Sequence, residues 1–158
     1  MLEGKVVVVT GGAGLIGQEF ISAIVKKNGV VVVADIDNDN GVSICNKLSI
    51  ELQSSSIDFF NLDVTSEKSI NKCIKYIDDK YGMIDALVNN AYPRNRNYGR
   101  HFFNVEYDDF IENIGQNLGG CFLPSKLFSQ YFLKQGFGNI INISSIYGVI
   151  SPRFDIYK

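Results

Sequence analysis

The sequence predicts an α/β protein: a doubly wound parallel sheet in three α/β/α layers. Three observations carry that prediction. Strand-like apolar runs alternate with helix-period segments along the whole chain. The first two runs, Val6-Val-Val-Val9 and Val30-Val-Val-Val-Ala34, have no polar face, which suits strands covered on both sides. Between them, Gly11, Gly12, Gly14 and Gly17 form a turn that opens an amphipathic segment of Ile16, Phe20, Ile21 and Ile24.

The remaining elements follow in order. Val42, Cys45, Leu48 and Leu52 mark one face of a second helix, ended by Ser54-Ser-Ser56. A third strand is expected from Ile57 to Val64. Ile70, Cys73, Ile74, Ile77 and Tyr81 then fall at helical spacing, with Thr65 and Ser66 as caps and Gly82 as a stop. Asp85–Asn89 reads as strand four and Tyr92–Asn104 as a polar loop. Phe110, Ile111, Ile114, Leu118 and Phe122 define a long helical region, which Gly119-Gly120 and Pro124 should break or bend. Asn139–Ile143 reads as strand five, ending in Ser144-Ser145, with Ser144 expected in the core. No repeat, low-complexity tract or linker interrupts the pattern, so residues 1–158 read as a single domain.

A strand, a glycine turn and a helix start in this order make a phosphate-binding device of the Rossmann type. Small residues let the backbone approach a pyrophosphate, and the helix start offers unpaired N–H groups and a positive dipole end. Asp35 closes the second strand 18 residues after Gly17, near the spacing of about 20 expected of a carboxylate that binds the adenosine ribose. An anion there repels a 2′-phosphate, and Asp35–Asn40 holds no Arg or Lys to receive one, so NAD is favoured over NADP. The bland alternative makes Asp35 a helix N-cap or a loop residue.

Ligands of open α/β sheets bind beyond the carboxyl ends of the strands. There the sequence places Thr10, Asp35, Asp63, Asn89, Asn90, Ser144 and Ser145. This set resembles the short-chain dehydrogenase/reductase family across the whole chain. Thr10–Gly17 is similar to its Thr-Gly-x-x-x-Gly-x-Gly turn, although Leu15 stands at the middle glycine and Gly14 gives the spacing of the extended subfamily. Asp63-Val64 resembles the pair that holds the adenine, and Asn89-Asn90-Ala91 the Asn-Asn-Ala-Gly motif, with Tyr92 for its glycine. Asn142-Ile-Ser-Ser145 resembles the fifth-strand motif, and Asn117 the helix asparagine of the catalytic tetrad. The resemblance implies a cofactor site of Thr10, Gly11, Gly14, Leu15, Ile16, Gly17, Asp35, Ile36, Asp63, Val64, Asn90, Ala91 and Tyr92. It also implies hydride transfer between nicotinamide and a carbonyl or alcohol, with Ser145 polarising the reacting oxygen. Asn117 would hold open a helix bend and anchor a water for proton relay.

Each motif has a plainer alternative. Asp63 and Thr65 can cap a helix, Asn89 and Asn90 can satisfy strand-end backbone, and Asn117 beside two glycines can be helix-breaking chemistry. The family's acid/base is a tyrosine in a Tyr-x-x-x-Lys helix. After Ser145 the sequence ends at Tyr157-Lys158, short of such a motif. Tyr157 is either that tyrosine or part of an inserted loop, Pro152–Tyr157, and the second is preferred. The chain is thus expected to be the N-terminal portion of a longer dehydrogenase, C-terminally incomplete and weakly active or inactive alone. A homodimer or homotetramer is implied for the full-length form.

A sugar or sugar phosphate is the expected substrate class, and Arg94, Arg96 and Arg100, in the loop after strand four, suit a phosphate or carboxylate, suggesting a sugar phosphate, nucleotide sugar or acidic sugar; the alternative is a solvated basic loop. Within the family, the resemblance is to enzymes of flagellin or surface-glycan modification. Rival readings are a non-catalytic dinucleotide-binding or interaction module, an extended-type sugar epimerase or dehydratase favoured by Gly14, and a methyltransferase. The last gives no reason for Asn117 or the serine pair.

Composition fits a globular chain: 46% hydrophobic and 20% charged. A formal net charge of −2 leaves no electrostatic footprint for nucleic acid or an anionic membrane. No apolar run approaches the roughly 20 residues of a membrane span. Cys45, Cys73 and Cys121 are dispersed in apolar-periodic segments and read as buried reduced thiols, which fits a cytoplasmic protein. No paired Cys or His stands at metal-ligand spacing, so no metal site is expected.

Overall fold

The computed structural model describes residues 1–150; Tyr157 and its neighbours lie outside them. Five parallel strands form the centre: β1 (Val6–Thr10), β2 (Val30–Asp35), β3 (Ile57–Asn61), β4 (Ala86–Asn89) and β5 (Asn139–Asn142). They are joined by α1 (Leu15–Val25), α2 (Asn38–Glu51), α3 (Glu67–Tyr81) and α4 (Tyr107–Gln135). The sheet order is β3-β2-β1-β4-β5. The chain walks outward from β1 to β3, then crosses back to lay β4 on the other side of β1. That reversal leaves a crevice at the carboxyl edge between β1 and β4.

The valine runs are fully apolar because both sheet faces are covered. Val6 and Val8 of β1 pack with Ile70, Cys73 and Ile77 of α3 and with Phe128 and Phe132 of α4. Val7 and Val9 pack with Ile21 and Ile24 of α1 and with Cys45 and Leu48 of α2. Alternate residues point to opposite faces, so a strand between two helical layers needs a branched apolar side chain at every position. Val8, Val9, Val31, Val32 and Val33 are wholly buried, each contributing roughly 1.5–3 kcal/mol of transfer free energy.

The caps follow the sequence. Ser66 starts α3 by accepting a hydrogen bond from Ser69 N–H, and Gly82 ends it at φ +73°. Asp37 caps α2 by accepting from Asn40 N–H at 3.0 Å, so Asp35 is not the cap.

Four expectations are corrected. β3 ends at Asn61, not Val64: Leu62 and Val64 are buried, but Asp63 accepts from Thr65 N–H at 2.8 Å and turns the chain off the ladder. α4 runs unbroken through Gly119, Gly120 and Pro124. Gly120 is there for packing, because a Cβ on it would stand 2.9 Å from Val64 Cγ2. Glycine at the position four before Pro124 relieves crowding by its ring. Ser144 is exposed, since β5 is the edge strand among the described residues. Cys121 is only partly buried; its thiol sits 3.2 Å from Asn142 Oδ1. The other two cysteines are buried free thiols, and burial pushes Cys45 up to about 11 and Cys73 to about 12.

Candidate functional site

A cavity of about 690 Å³ opens at the carboxyl edge of the sheet. Its floor is the turn from β1 into α1. Gly11 has φ +60°, and a Cβ on it would lie 2.7 Å from Ala91 Cα, so the ends of β1 and β4 approach too closely for any side chain. A Cβ at Gly17 would meet Gly11 O at 2.5 Å, which lets α1 start directly against the turn. Gly14 is the N-cap of α1 with no side-chain cap hydrogen bond. The first-turn N–H groups of a helix have no carbonyl one turn earlier to accept them. Here they stand beside Gly14, Leu15, Ile16 and Gly17, all cavity walls.

The turn is tied to its neighbours. Thr10 is fully buried beneath it; Thr10 Oγ1 donates to Val88 O and accepts from Asn90 N–H at 3.0 Å and Ala91 N–H at 3.1 Å. The Asn90 amide donates to Thr10 O at 3.0 Å and Gly11 O at 3.1 Å. On the other side, Asp35 Oδ2 accepts from Ala13 N–H at 3.0 Å and Oδ1 from Asp37 N–H at 3.1 Å. The carboxylate is thus fixed against the glycine turn. Beside it Ile36 is exposed, with Leu15 across the turn, so apolar surface flanks the acid.

Among the predicted residues, Gly11, Gly14, Leu15, Ile16, Gly17, Asp35 and Ile36 share this cavity with Asp63, Val64, Asn90, Ala91 and Tyr92. Thr10 lies behind the wall rather than in it. Asn117 and Ser145 are not among the walls. The Asn117 amide donates to Pro93 O at 3.1 Å and Asn113 O at 3.0 Å, while its Oδ1 is buried with no partner among the described residues. Ser145 Oγ accepts from Tyr147 N–H at 3.2 Å and caps the short turn Ile146–Gly148. Asn89 donates to Ser125 Oγ and Asn142 Oδ1, each at 2.8 Å, tying β4 to α4 and β5.

The structure adds walls that sequence reasoning missed: Leu62, Thr65, Pro93 and Gln116. Gln116 was reachable as the neighbour of Asn117; the others carry no local signal. It also separates the three arginines. Arg100 is paired with Asp109 at 3.2 Å, Arg96 is exposed, and Arg94 alone lines the cavity.

Sequence reasoning also missed a Tyr-x-x-x-Lys spacing on α3, Tyr76 to Lys80. Both groups bond Asp58 Oδ2 on β3, at 2.6 Å and 2.7 Å, and Tyr81 joins them at 3.2 Å. Burial, aided by the Asp58 hydrogen bond, holds the Tyr76 pKa above its ordinary value. A catalytic tyrosine needs the opposite shift, so this cluster is a structural tie. Among the described residues, no cluster of His, Cys, Asp or Glu is arranged to hold a metal, and no helix is long and apolar enough to cross a membrane.

Comparison with known proteins agrees with this architecture. The family model described as short chain dehydrogenase matches residues 5–157. Post-translational flagellin modification protein A of Campylobacter coli is 38% identical over 162 residues, covering 100% of this chain and 62% of that protein. The 3-oxoacyl-(acyl-carrier-protein) reductase of Thermotoga maritima is 32% identical over 149 residues, 94% of this chain and 58% of that one. A crystal structure of NAD+-bound xylitol dehydrogenase superposes with a TM-score of 0.84 at 26% identity, over 96% of this chain and 56% of that chain. The chain belongs to the short-chain dehydrogenase family of oxidoreductases, and it spans only 62% and 58% of the lengths of the two curated relatives.

Proposed function

We propose that this chain is the dinucleotide-binding part of an NAD-dependent oxidoreductase, which moves a hydride between nicotinamide and a carbonyl or alcohol carbon of a sugar-class substrate. The observation that carries it is the contact of Asp35 Oδ2 with Ala13 N–H at 3.0 Å. It holds a carboxylate and a helix N-terminus on one cavity, a ribose acceptor beside a phosphate donor. The residues fit the group: the glycine turn admits no side chain at Gly11 or Gly17, and Leu15, Ile36 and Val64 supply apolar surface for a flat base.

NAD rather than NADP is supported by the charges. Among the described residues, no cation lines the cavity beside Asp35 and Ile36; the one in the walls is Arg94, on the β4 side of the glycine turn. The Asp35 anion opposes a second phosphate on the same ribose.

When bound, nicotinamide supplies the hydride acceptor or donor. The chain's own groups bind, orient and move protons. Ser145 follows β5 at the carboxyl edge and donates its hydroxyl to the reacting oxygen. The unpartnered Asn117 Oδ1 accepts from a water of the proton relay, while its amide fixes the cavity wall through Pro93 O. The sugar class is supported by Arg94 in the cavity wall, suited to the phosphate or carboxylate of a sugar derivative, and by the likeness to a xylitol dehydrogenase, whose named substrate is a sugar alcohol. On α4, Tyr107, Ile111, Ile114, Leu118 and Phe122 form an exposed apolar stripe along one side, the face through which the full-length form pairs with a second copy.

Calorimetric titration with NADH and NADPH tests the reading. NADH binds at least tenfold more tightly if Asp35 receives the ribose; equal affinities, or a preference for NADPH, contradict it.

A further inference from the structure

Arg94 is the one cation in the described walls of the cavity, and its setting differs from that of its neighbours. Its guanidinium carbon lies 4.9 Å from the Tyr98 ring centroid and 5.5 Å from that of Tyr92. The two rings meet edge to face, 6.0 Å apart at 88°, and their hydroxyls are 3.3 Å apart. The residue on either side is tied to α4. Asn117 donates to Pro93 O at 3.1 Å, and Asn95 donates to Asp109 at 3.2 Å and Glu112 at 3.0 Å.

Arg100 has spent its charge on Asp109. Among the described residues, no carboxylate pairs with Arg94. Its contacts are with aromatic rings, which hold the cation in place yet leave its N–H donors unspent. A fixed, uncompensated guanidinium facing a cavity is suited to bidentate capture of a carboxylate or phosphate.

The sheet order says which end of the cavity this is. Asp35 closes β2, the glycine turn leaves β1, and Arg94 follows β4, and these strands lie side by side in that order. A dinucleotide held with its ribose on Asp35 and its phosphates at the start of α1 would therefore extend its other half towards Arg94. The inference rests on that reading of the cavity.

We propose that Arg94, seated on Tyr92 and Tyr98, is the anion anchor of the substrate site, so that the molecule meeting nicotinamide is a sugar acid or sugar phosphate rather than a neutral sugar. Tyr98 is a positioning residue, since it acts through the guanidinium.

The test is calorimetry on the unaltered protein and on Arg94→Gln, Arg94→Lys, Arg96→Gln and Tyr98→Ala. Each is titrated with NADH, and the loaded protein is then titrated with inorganic phosphate and with gluconate. The expected result is that at least one anion binds the loaded protein and that Arg94→Gln weakens it at least tenfold. Arg94→Lys restores part of the loss, Tyr98→Ala weakens the anion several-fold, and Arg96→Gln changes nothing beyond twofold. NADH affinity stays within twofold throughout. The proposal is overturned if neither anion binds the loaded protein, or if Arg94→Gln leaves anion affinity intact. It is equally overturned if Arg94→Gln weakens NADH tenfold, which would assign Arg94 to the cofactor's phosphates. Failure of the unaltered protein to bind NADH would sink the dinucleotide reading itself, and it is seen before any anion is added.

Discussion

Thr10 and Asn90 close on one another from the ends of adjacent strands: Asn90 N–H donates to Thr10 Oγ1 at 3.0 Å, and the Asn90 amide donates to Thr10 O at the same distance. Two residues named as cofactor ligands from the sequence thus hold the shape of the cavity floor. Thr10→Val keeps the volume but strands the N–H groups of Asn90 and Ala91. The expected cost is about 1–3 kcal/mol, a fall in Tm of roughly 2–4 °C per kcal/mol for a chain of this size. Thermal denaturation checks it; an unchanged Tm would show that water replaces the hydroxyl.

The glycines of the turn are not equivalent. A Cβ at Gly17 would meet Gly11 O at 2.5 Å and Gly12 Cα at 2.6 Å, whereas one at Gly14 meets only Gly11 O, at 3.3 Å. Gly17→Ala is expected to cost about 1–3 kcal/mol through overpacking of backbone on backbone, and to weaken NADH strongly. Gly14→Ala is expected to fold with little loss. Paired denaturation and titration curves distinguish them, and equal penalties would contradict this packing.

The Asp58 cluster gives a pH dependence with a definite sign. Burial raises its carboxyl, but hydrogen bonds from Lys80, Tyr76 and Tyr81 and the Lys80 charge outweigh it, so its folded pKa lies below the ordinary 3.8. A depressed folded value means stability that is present above the unfolded pKa and lost as pH falls through the folded one. Asp58→Asn should therefore lower Tm near neutral pH, and the gap from the unaltered protein should close below about pH 4, near the unfolded carboxylate value. A gap constant down to pH 2 would remove the role assigned to ionised Asp58.

Leu118→Glu and Ile111→Glu place charge in the apolar stripe of α4. If the proposed pairing runs through this face, sedimentation velocity should show loss of association with either change. Retained association would exclude this face as the contact.

Much of this was legible in the sequence, for identifiable reasons. The valine runs announce strands because both faces are buried, and the turn announces itself because close backbone contact at Gly11 and Gly17 excludes any side chain. The continuity of α4 was not legible, because Gly120 looks like a breaker until Val64 is seen against it. Nor could sequence show which arginine faces the cavity. Asp109 removes Arg100 by pairing with it, nine positions away, and the path of the loop puts Arg94 rather than Arg96 in the cavity wall. Tyr76 and Lys80 escaped notice because their significance depends on Asp58 reaching them from β3.

Titration of Asp35→Ala with NADH and NADPH, beside the unaltered protein, tests the central claim most directly. If the β2-end carboxylate receives the adenosine ribose, NADH affinity falls about tenfold, the worth of a charge-assisted hydrogen bond of roughly 1.5 kcal/mol, while NADPH affinity holds or rises. NADH affinity that survives the change would show that the dinucleotide, if bound at all, does not rest on Asp35.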